Sequence, residues 1–396
     1  MDTDLLILGA GPAGAALSLL MARKGYSVEI LDAAYFPRTK ICGEFLNPQA
    51  VQWLGENELL TPVEELNPFP IHGMRITDHQ GNTFKGTYRS GTGYAIQRKD
   101  FDALLVSILK REGIRLQEGF RASQLILEKD RAVGVLGRDS QGNLCEKRAR
   151  IIAGADGRNN LIGRTFGWMK TIRSLRKYAF LSYFDEVAGL QNYGEIHLVK
   201  DGYVGVAPLS DRLANVALVV DEKVCPNGTT DLQQFLLSYL QHTELPKRLR
   251  KPEPLVPVIT AGPLAFTLKR TSGNGTILVG DTCGFIDPFT GEGINYAFLS
   301  ASTATEVLDE CFRKNRFDNS ALMVYDKKRH QILGRKFQMA RLLQRAIHSP
   351  LFSDFLVRRF ARRQALADTM VSAVGSAIPV QEVWNFGFLL KVALGG

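Results

Sequence analysis

The first 32 residues hold the most constraining pattern in the chain: an apolar strand, a glycine-rich turn, a helix and a second strand that ends on an acid. Leu5–Leu8 is a short apolar run, which is typical of a buried strand. It leads directly into the G-x-G-x-x-G turn that spans residues 9–14. A helix is expected over 15–24 and a strand over 27–31, with Asp32 at the end of that strand.

Each glycine of this turn has its own physical role. Gly9 makes the tight turn, Gly11 lets a pyrophosphate approach the backbone, and Gly14 lets the helix pack closely on the strand. The positive helix N-terminus attracts the pyrophosphate, and Asp32 can accept hydrogen bonds from a ribose hydroxyl. We therefore predict a dinucleotide site rather than an ordinary turn between strand and helix, formed by Gly9, Gly11, Pro12, Ala13, Gly14 and Asp32.

The length of the chain predicts more than one structural lobe, because 396 residues exceed a single typical core. Its five cysteines include no C-x-x-C pair, and no secretory leader pattern is present. We expect reduced thiols and a cytoplasmic location. No apolar run approaches the roughly 20 residues that span a bilayer, and the dispersed histidines predict no metal site.

A second informative stretch follows the first unit and reads Pro37-Arg38-Thr39-Lys40-Ile41-Cys42-Gly43-Glu44. Arg38 and Lys40 supply positive charge close to the expected diphosphate, and Cys42-Gly43 allows a flat ring to approach the backbone. From physics alone, a surface loop explains this stretch equally well.

The glycine turn followed by P-R-x-K-x-C-G-E resembles the geranylgeranyl-reductase-like branch of FAD-dependent oxidoreductases, which belongs to the wider p-hydroxybenzoate hydroxylase superfamily. The resemblance implies FAD as the cofactor and places Arg38, Cys42 and Gly43 beside it. It also implies that Arg98, at the start of an amphipathic helix, contacts FAD.

Two later segments extend the resemblance. Asp156-Gly157 matches the family's "DG" motif, although Asn160 stands where the family usually has Ser. The segment 280–295 matches the "GD" motif, in which Asp281 would bind the ribityl chain. The positive N-terminus of the following helix would face the pyrimidine edge of the flavin, where negative charge develops on reduction. The implied FAD contacts here are Gly280, Asp281, Pro288, Gly291, Gly293, Ile294 and Asn295.

The family relationship implies an α/β fold: a Rossmann-type FAD-binding domain with an inserted antiparallel β-sheet substrate domain and a helical C-terminal region. The alternating runs 193–199, 203–209 and 215–220 predict strands of one sheet, 231–240 predicts a helix on its outer side, and 71–87 predicts a hairpin. The predicted bounds are 1–70, 94–177 and 262–330 for the FAD-binding domain, 71–93 and 178–261 for the substrate domain, and 331–396 for the C-terminal region.

The C-terminal region carries much of the net charge of +9, with nine basic and three acidic residues from position 335 onward. Its arginines alternate with large apolar side chains. This pattern favours helices packed on the FAD-binding domain with a solvated basic face, and peripheral contact with the inner face of a membrane is the alternative. Nucleic acid is not expected as a partner, because no recognition fold accompanies the charge.

The flavin chemistry can be interpreted in three ways. The favoured interpretation is a monooxygenase that uses O₂ to hydroxylate an aromatic or polyketide-like lipophilic molecule, with Cys42 near the reacting face of FAD. The alternative is a reductase of carbon–carbon double bonds in a prenyl or other lipophilic substrate. Against it, the stretch 202–208 lacks the Trp and Phe of prenyl reductases. A third possibility is a non-catalytic, FAD-bound assembly partner. The absence of a second G-x-G-x-x-G indicates that NADPH or NADH would bind only transiently.

Overall fold

The computed structural model describes residues 3–172, 175–226 and 231–394. Its strands are, in chain order, β1 Leu5–Leu8, β2 Val28–Asp32, β3 Phe45–Leu46, β4 Phe69–Ile71, β5 Gly73–Thr77, β6 Thr83–Thr87, β7 Gly93–Ala95, β8 Arg115–Glu118, β9 Arg121–Glu128, β10 Arg131–Arg138, β11 Leu144–Arg148, β12 Ile151–Gly154, β13 Met169–Thr171, β14 Lys177–Phe184, β15 Gly194–Val199, β16 Gly202–Pro208, β17 Ala214–Asp221, β18 Ile259–Ala261, β19 Phe266–Leu268, β20 Ser272–Gly273 and β21 Thr276–Leu278.

The helices alternate with these strands in the first part of the chain and dominate its end. They are α1 Pro12–Ala22, α2 Pro48–Glu56, α3 Leu60–Glu64, α4 Arg98–Arg111, α5 Leu161–Thr165, α6 Leu232–Leu240, α7 Leu245–Arg248, α8 Gly293–Arg313, α9 Asn319–Ile347, α10 Pro350–Ala361, α11 Gln364–Val374 and α12 Phe386–Leu394.

A six-stranded sheet in the order β20-β21-β12-β1-β2-β8 forms the centre of the molecule, and all its pairings except β20–β21 are parallel. Strand β1 is buried along its whole length because both faces of this sheet are covered. Leu5 and Ile7 pack with α1 and α8, whereas Leu6 and Leu8 pack with side chains of the β9–β10–β11 meander. The expected α/β fold with its Rossmann-type unit is confirmed.

A second sheet has seven strands in the order β18-β14-β17-β16-β15-β5-β6. The predicted runs become β15, β16 and β17 and pair antiparallel, as expected. The predicted helix forms as α6, with the Asp231 carboxylate accepting hydrogen bonds from the amides of Gln233 and Gln234. Leu236 and Leu240 of this helix pack on one face of the sheet. The hairpin β5–β6 joins the same sheet through a parallel pairing of β5 with β15, a connection that periodicity alone did not predict.

The C-terminal region is helical, as expected. Helix α9 packs on α8 and β20, in the FAD-binding part as predicted, whereas α10 and α11 pack mainly on the β5–β6 hairpin, which was not predicted. The Asp368 side chain of α11 accepts a hydrogen bond from the Thr87 amide at 2.8 Å. Helix α11 approaches so closely that a Cβ atom on Gly86 would lie 2.5 Å from Val371. This contact couples residues after 331 to the second sheet, and the domain bounds given above stay a prediction.

Candidate functional site

The glycine turn after β1 has the local geometry that the sequence predicts. Gly9 adopts a φ of +104°, and a Cβ atom there would lie 2.5 Å from the carbonyl oxygen of Ala155. A Cβ atom on Gly14 would lie 1.9 Å from the Gly9 oxygen, so this glycine lets α1 pack against the turn. Gly11 is different, because its nearest neighbour would be the Arg38 guanidinium at 3.5 Å. Space for a ligand therefore remains beside Gly11, at the N-terminus of α1.

Asp32 secures this turn at the end of β2. Its two carboxylate oxygens accept hydrogen bonds from the amides of Ala10 at 2.7 Å and Ala34 at 2.8 Å. Each oxygen keeps a second lone pair for another donor. The acid thus fixes the loop and retains acceptor capacity, and its hydrogen bond to a ribose hydroxyl stays a prediction.

A cavity of about 800 Å³ opens beside this turn and extends to the N-terminus of α8. Its volume is in the range of small-molecule and cofactor sites. Two of the predicted FAD contacts, Gly14 and Asn295, are not part of its wall. The predicted residues that line it are Gly9, Gly11, Pro12, Ala13, Asp32, Arg38, Cys42, Gly43, Arg98, Asp156, Gly157, Gly280, Asp281, Pro288, Gly291, Gly293 and Ile294.

Asp156 and Asp281 are two of the carboxylates on this wall whose pKa is raised. Burial raises the pKa of Asp156 to about 6, and the Leu161 amide, which donates to it at 2.9 Å, opposes that shift. Its Oδ1 atom is buried and has no hydrogen-bond donor among the described residues. Burial also raises the pKa of Asp281, although the cations Lys40, Arg98 and Arg158 oppose it. The unpaired Oδ1 atom of Asp156 can therefore accept a hydrogen bond from a bound ligand.

Cys42 lies on the same wall, next to a buried guanidinium. Arg98 donates from two nitrogens to the Asp102 carboxylate, at 2.8 Å each, and it also interacts with the Cys42 thiol. The Arg38 guanidinium is 3.4 Å from the same carboxylate. Arg98 lines the cavity, and its charge is paired with Asp102, a partner that was not predicted; contact of Arg98 with FAD stays a prediction.

Glu44 is the last residue of the P-R-x-K-x-C-G-E motif, and no role was predicted for its side chain. The Glu44 carboxylate accepts hydrogen bonds from the backbone amide of Arg98 at 3.0 Å, the Tyr183 hydroxyl at 2.7 Å and the side-chain amide of Asn215 at 3.0 Å. Burial raises its pKa, and these three donors oppose the shift. Asn215 also donates to the carbonyl of Cys42. These hydrogen bonds hold the loop that contains Cys42 and Glu44 against β14 and β17 of the second sheet.

A buried ion pair between Lys177 and Asp287 was not predicted from the sequence either. The side chains of Lys177 and Asp287 are both about 1% exposed, and their Nζ and Oδ2 atoms are 3.2 Å apart. The hydroxyl of Tyr203 donates to the other Asp287 oxygen at 2.6 Å, and the Phe289 amide donates to it at 2.8 Å. Asp287 lines the cavity immediately before Pro288. These contacts fix the turn that leads into α8.

Two residues of the C-terminal region contact Glu292, which lines the cavity at the N-terminus of α8. The Glu292 carboxylate accepts hydrogen bonds from Lys336, Ser376 and Tyr296. Lys336 also donates to the Gln49 side chain at 2.9 Å, and the Asn295 amide donates to the same oxygen at 3.0 Å. Asn295 therefore supports this network from behind the wall.

A second, apolar pocket of about 90 Å³ adjoins the first cavity, and Thr290 borders both. It lies between the inner face of the seven-stranded sheet and the C-terminal helices. Ile196 and Leu198 of β15 form one wall, and Leu356 and Phe360 of α10 form the other. This pocket suits a lipophilic group, and periodicity could not reveal it because its walls come from distant segments.

The larger cavity fits FAD by its own chemistry. An open helix N-terminus at Gly11 and the cations Arg38 and Lys40 suit a diphosphate. Asp32, and Asp156 with its unpaired buried oxygen, suit hydroxyl donors of a ribose. Across the described ranges, no His, Cys, Asp or Glu residues cluster as metal ligands, and no helix is both long and apolar enough to cross a bilayer.

Comparisons with known proteins agree with this chemistry. The sequence model of the FAD binding domain family matches residues 2–340. Digeranylgeranylglycerophospholipid reductase 2 of Methanopyrus kandleri is 27% identical over 347 residues, which cover 86% of this chain and 85% of that protein.

Two solved structures share the fold. The flavin-dependent brominase Bmp2 has a TM-score of 0.85 at 19% identity, covering 100% of this chain and 98% of its own. A geranylgeranyl bacteriochlorophyll reductase-like protein of Thermoplasma acidophilum has a TM-score of 0.80 at 20% identity, covering 96% of this chain and 98% of its own.

Proposed function

The chain belongs to the FAD binding domain family, and from that premise we propose that this FAD-dependent oxidoreductase reduces carbon–carbon double bonds of a lipophilic substrate. The observation that carries the proposal is the apolar pocket that shares Thr290 with the larger cavity. An apolar end group of a lipophilic substrate would fit between β15 and α10, while the remainder of the molecule occupies the adjoining larger cavity. The similarity to a digeranylgeranylglycerophospholipid reductase supports this chemistry.

When bound, FAD supplies the hydride chemistry, with NADPH or NADH as the proposed reductant. Reduction of a double bond also needs a proton for the second carbon. Cys42 is the proposed donor, because it lies on the cavity wall and Arg98 interacts with its thiol. A guanidinium stabilises the thiolate that remains after proton transfer, and solvent then returns the proton.

The second candidate is the hydroxylation favoured by the sequence analysis. One observation supports it: β16 lacks the Trp and Phe of prenyl reductases, and the hydroxyl of its Tyr203 is committed to Asp287. The substrate wall of this chain therefore differs from that of a prenyl reductase.

Mass spectrometry of the products separates these two functions. The FAD-loaded protein would be supplied with NADPH or NADH and offered a geranylgeranylated phospholipid or an alkylated phenol, with and without O₂. The proposal expects a product that gains pairs of hydrogens without O₂. A product that gains one oxygen atom, only when O₂ is present, would instead establish hydroxylation. A protein that takes up no FAD would refute both.

A further inference from the structure

The outer surface of the C-terminal helices exposes large apolar side chains. Leu351, at the start of α10, is 85% exposed, and Phe386, at the start of α12, is 79% exposed. Exposed apolar groups of this size seldom cluster on a protein surface without a partner. The C-terminal apolar surface is defined here by Leu351, Phe352, Phe355, Phe386, Leu389 and Leu390.

The two helices that carry this surface are neighbours. The Arg359 guanidinium of α10 donates to the carbonyl of Ala393 in α12 at 3.1 Å. On the opposite side of α10, Leu356, Val357 and Phe360 line the apolar pocket. One helix therefore separates the exposed apolar groups from the proposed substrate pocket.

Positive charge borders the apolar side chains. Leu351, Phe355 and Arg358 are spaced by four and three positions, which places them along one face of α10. Arg362 follows directly after the last residue of this helix. Arg341, Arg345, Arg362 and Lys391 are exposed, and none pairs with a carboxylate in the described part of the chain.

The acidic side chains of the C-terminal region already have polar partners within the protein. Asp354 is buried and contacts His79, and Asp368 accepts a hydrogen bond from the Thr87 amide. Glu382 lies 3.5 Å from the Arg89 guanidinium. The surface is therefore apolar and cationic together, which suits an anionic partner with an apolar interior.

We propose that the C-terminal apolar surface docks on an anionic lipid bilayer. Exposed apolar side chains with flanking arginines are the features of interfacial helices that enter the headgroup region of such a membrane. A second copy of this chain is a poorer partner, because a symmetric contact would bring the same cations together. A lipophilic substrate would then pass from the bilayer, beside α10, into the apolar pocket. This last step rests on the proposed function, whereas the docking itself does not.

Flotation with lipid vesicles tests the docking without any substrate. The FAD-loaded protein should float with vesicles of phosphatidylglycerol and phosphatidylcholine in equal parts, and less with pure phosphatidylcholine. High salt should weaken the part of the vesicle binding that depends on the negative charge of phosphatidylglycerol. The double substitution Leu351→Glu with Phe386→Glu should lower vesicle affinity at least about tenfold, because both apolar anchors are lost. The matched control is Leu255→Glu, an exposed residue outside the C-terminal region.

The absorbance of bound FAD and the thermal unfolding midpoint establish whether each variant is folded. The proposal is refuted if the folded double variant floats like wild type, or if wild type does not bind anionic vesicles. It is also refuted if sedimentation shows a dimer that the double substitution dissociates, because a second copy would then cover the surface. Vesicle binding without double-bond reduction would refute the proposed function alone.

Discussion

The Nζ atom of Lys177 lies 3.2 Å from the Oδ2 atom of Asp287 in a pair that is almost completely buried. Lys177 begins β14 of the second sheet, whereas Asp287 stands on the cavity wall just before Pro288. The pair therefore joins the second sheet to the loop that positions the N-terminus of α8. A change on one side of this pair should affect the other.

Lys177→Met should lower the free energy of unfolding by about 3–5 kcal/mol, because it leaves the Asp287 carboxylate buried without its counter-charge. Adding Asp287→Asn should restore part of that loss, since the double variant buries no unpaired charge. Denaturant unfolding of the flavin-free proteins measures both effects. Strictly additive losses in the double variant would contradict the coupling of the two residues.

Two glycines of the same turn should respond differently to substitution. Gly11→Val should yield a folded protein with at least about tenfold weaker FAD binding, because the new side chain occupies the open approach to the helix N-terminus. Gly14→Ala should instead impair folding, since a Cβ atom there would lie 1.9 Å from the Gly9 oxygen. Absorbance of bound flavin and thermal unfolding distinguish the two effects. A stoichiometrically yellow Gly11→Val protein would overturn the assignment of this turn.

The elements of the fold that depend on local sequence patterns were predicted correctly. The glycine turn, β1 and α1 follow from apolar runs and the φ freedom of glycine. Strands β15 to β17 follow from side-chain alternation, which reports a sheet with a buried face. In each case the determining residues lie within a few positions of one another.

The contacts that the sequence did not predict join distant segments. Glu44 meets the Tyr183 hydroxyl from 139 residues away and the Asn215 amide from 171 residues away. Periodicity reports which face of an element is buried but does not identify what covers it. The C-terminal helices illustrate this limit, because their amphipathic pattern was visible while the apolar pocket that they close was not.

The acidity of Asp156 predicts a pH dependence for the flavin-free protein. Its pKa is about 6 in the folded state, against an ordinary value of 3.8 for an aspartate, so between these pH values the folded state binds more protons than the unfolded state. The contribution of this residue to stability is therefore present below about pH 4 and is lost as pH rises towards 6. The loss amounts to at most about 3 kcal/mol.

Asp156→Asn should remove that pH-dependent contribution and make the flavin-free protein more stable than wild type above pH 6. Denaturant unfolding from pH 4 to pH 7 measures the difference between the two proteins. Asp211→Asn, at an exposed position in the turn between β16 and β17, is the matched control. Parallel profiles for wild type and Asp156→Asn would show that the buried carboxylate does not titrate in this range.

Cys42 provides the sharpest test of the proposed chemistry, because its thiol lines the cavity beside Arg98. Cys42→Ser should leave FAD binding and the reduction of FAD by NADPH or NADH unchanged. It should slow the transfer to substrate by about 10²–10⁴-fold, the range typical of a lost general acid, since a serine hydroxyl is a weaker proton donor. Cys145→Ser is the matched control, because that thiol lies on β11 in the meander. Stopped-flow absorbance of the flavin follows the two half-reactions separately. Equal slowing of both would identify Cys42 as a packing residue beside the cofactor, and wild-type rates in both would remove it from the mechanism.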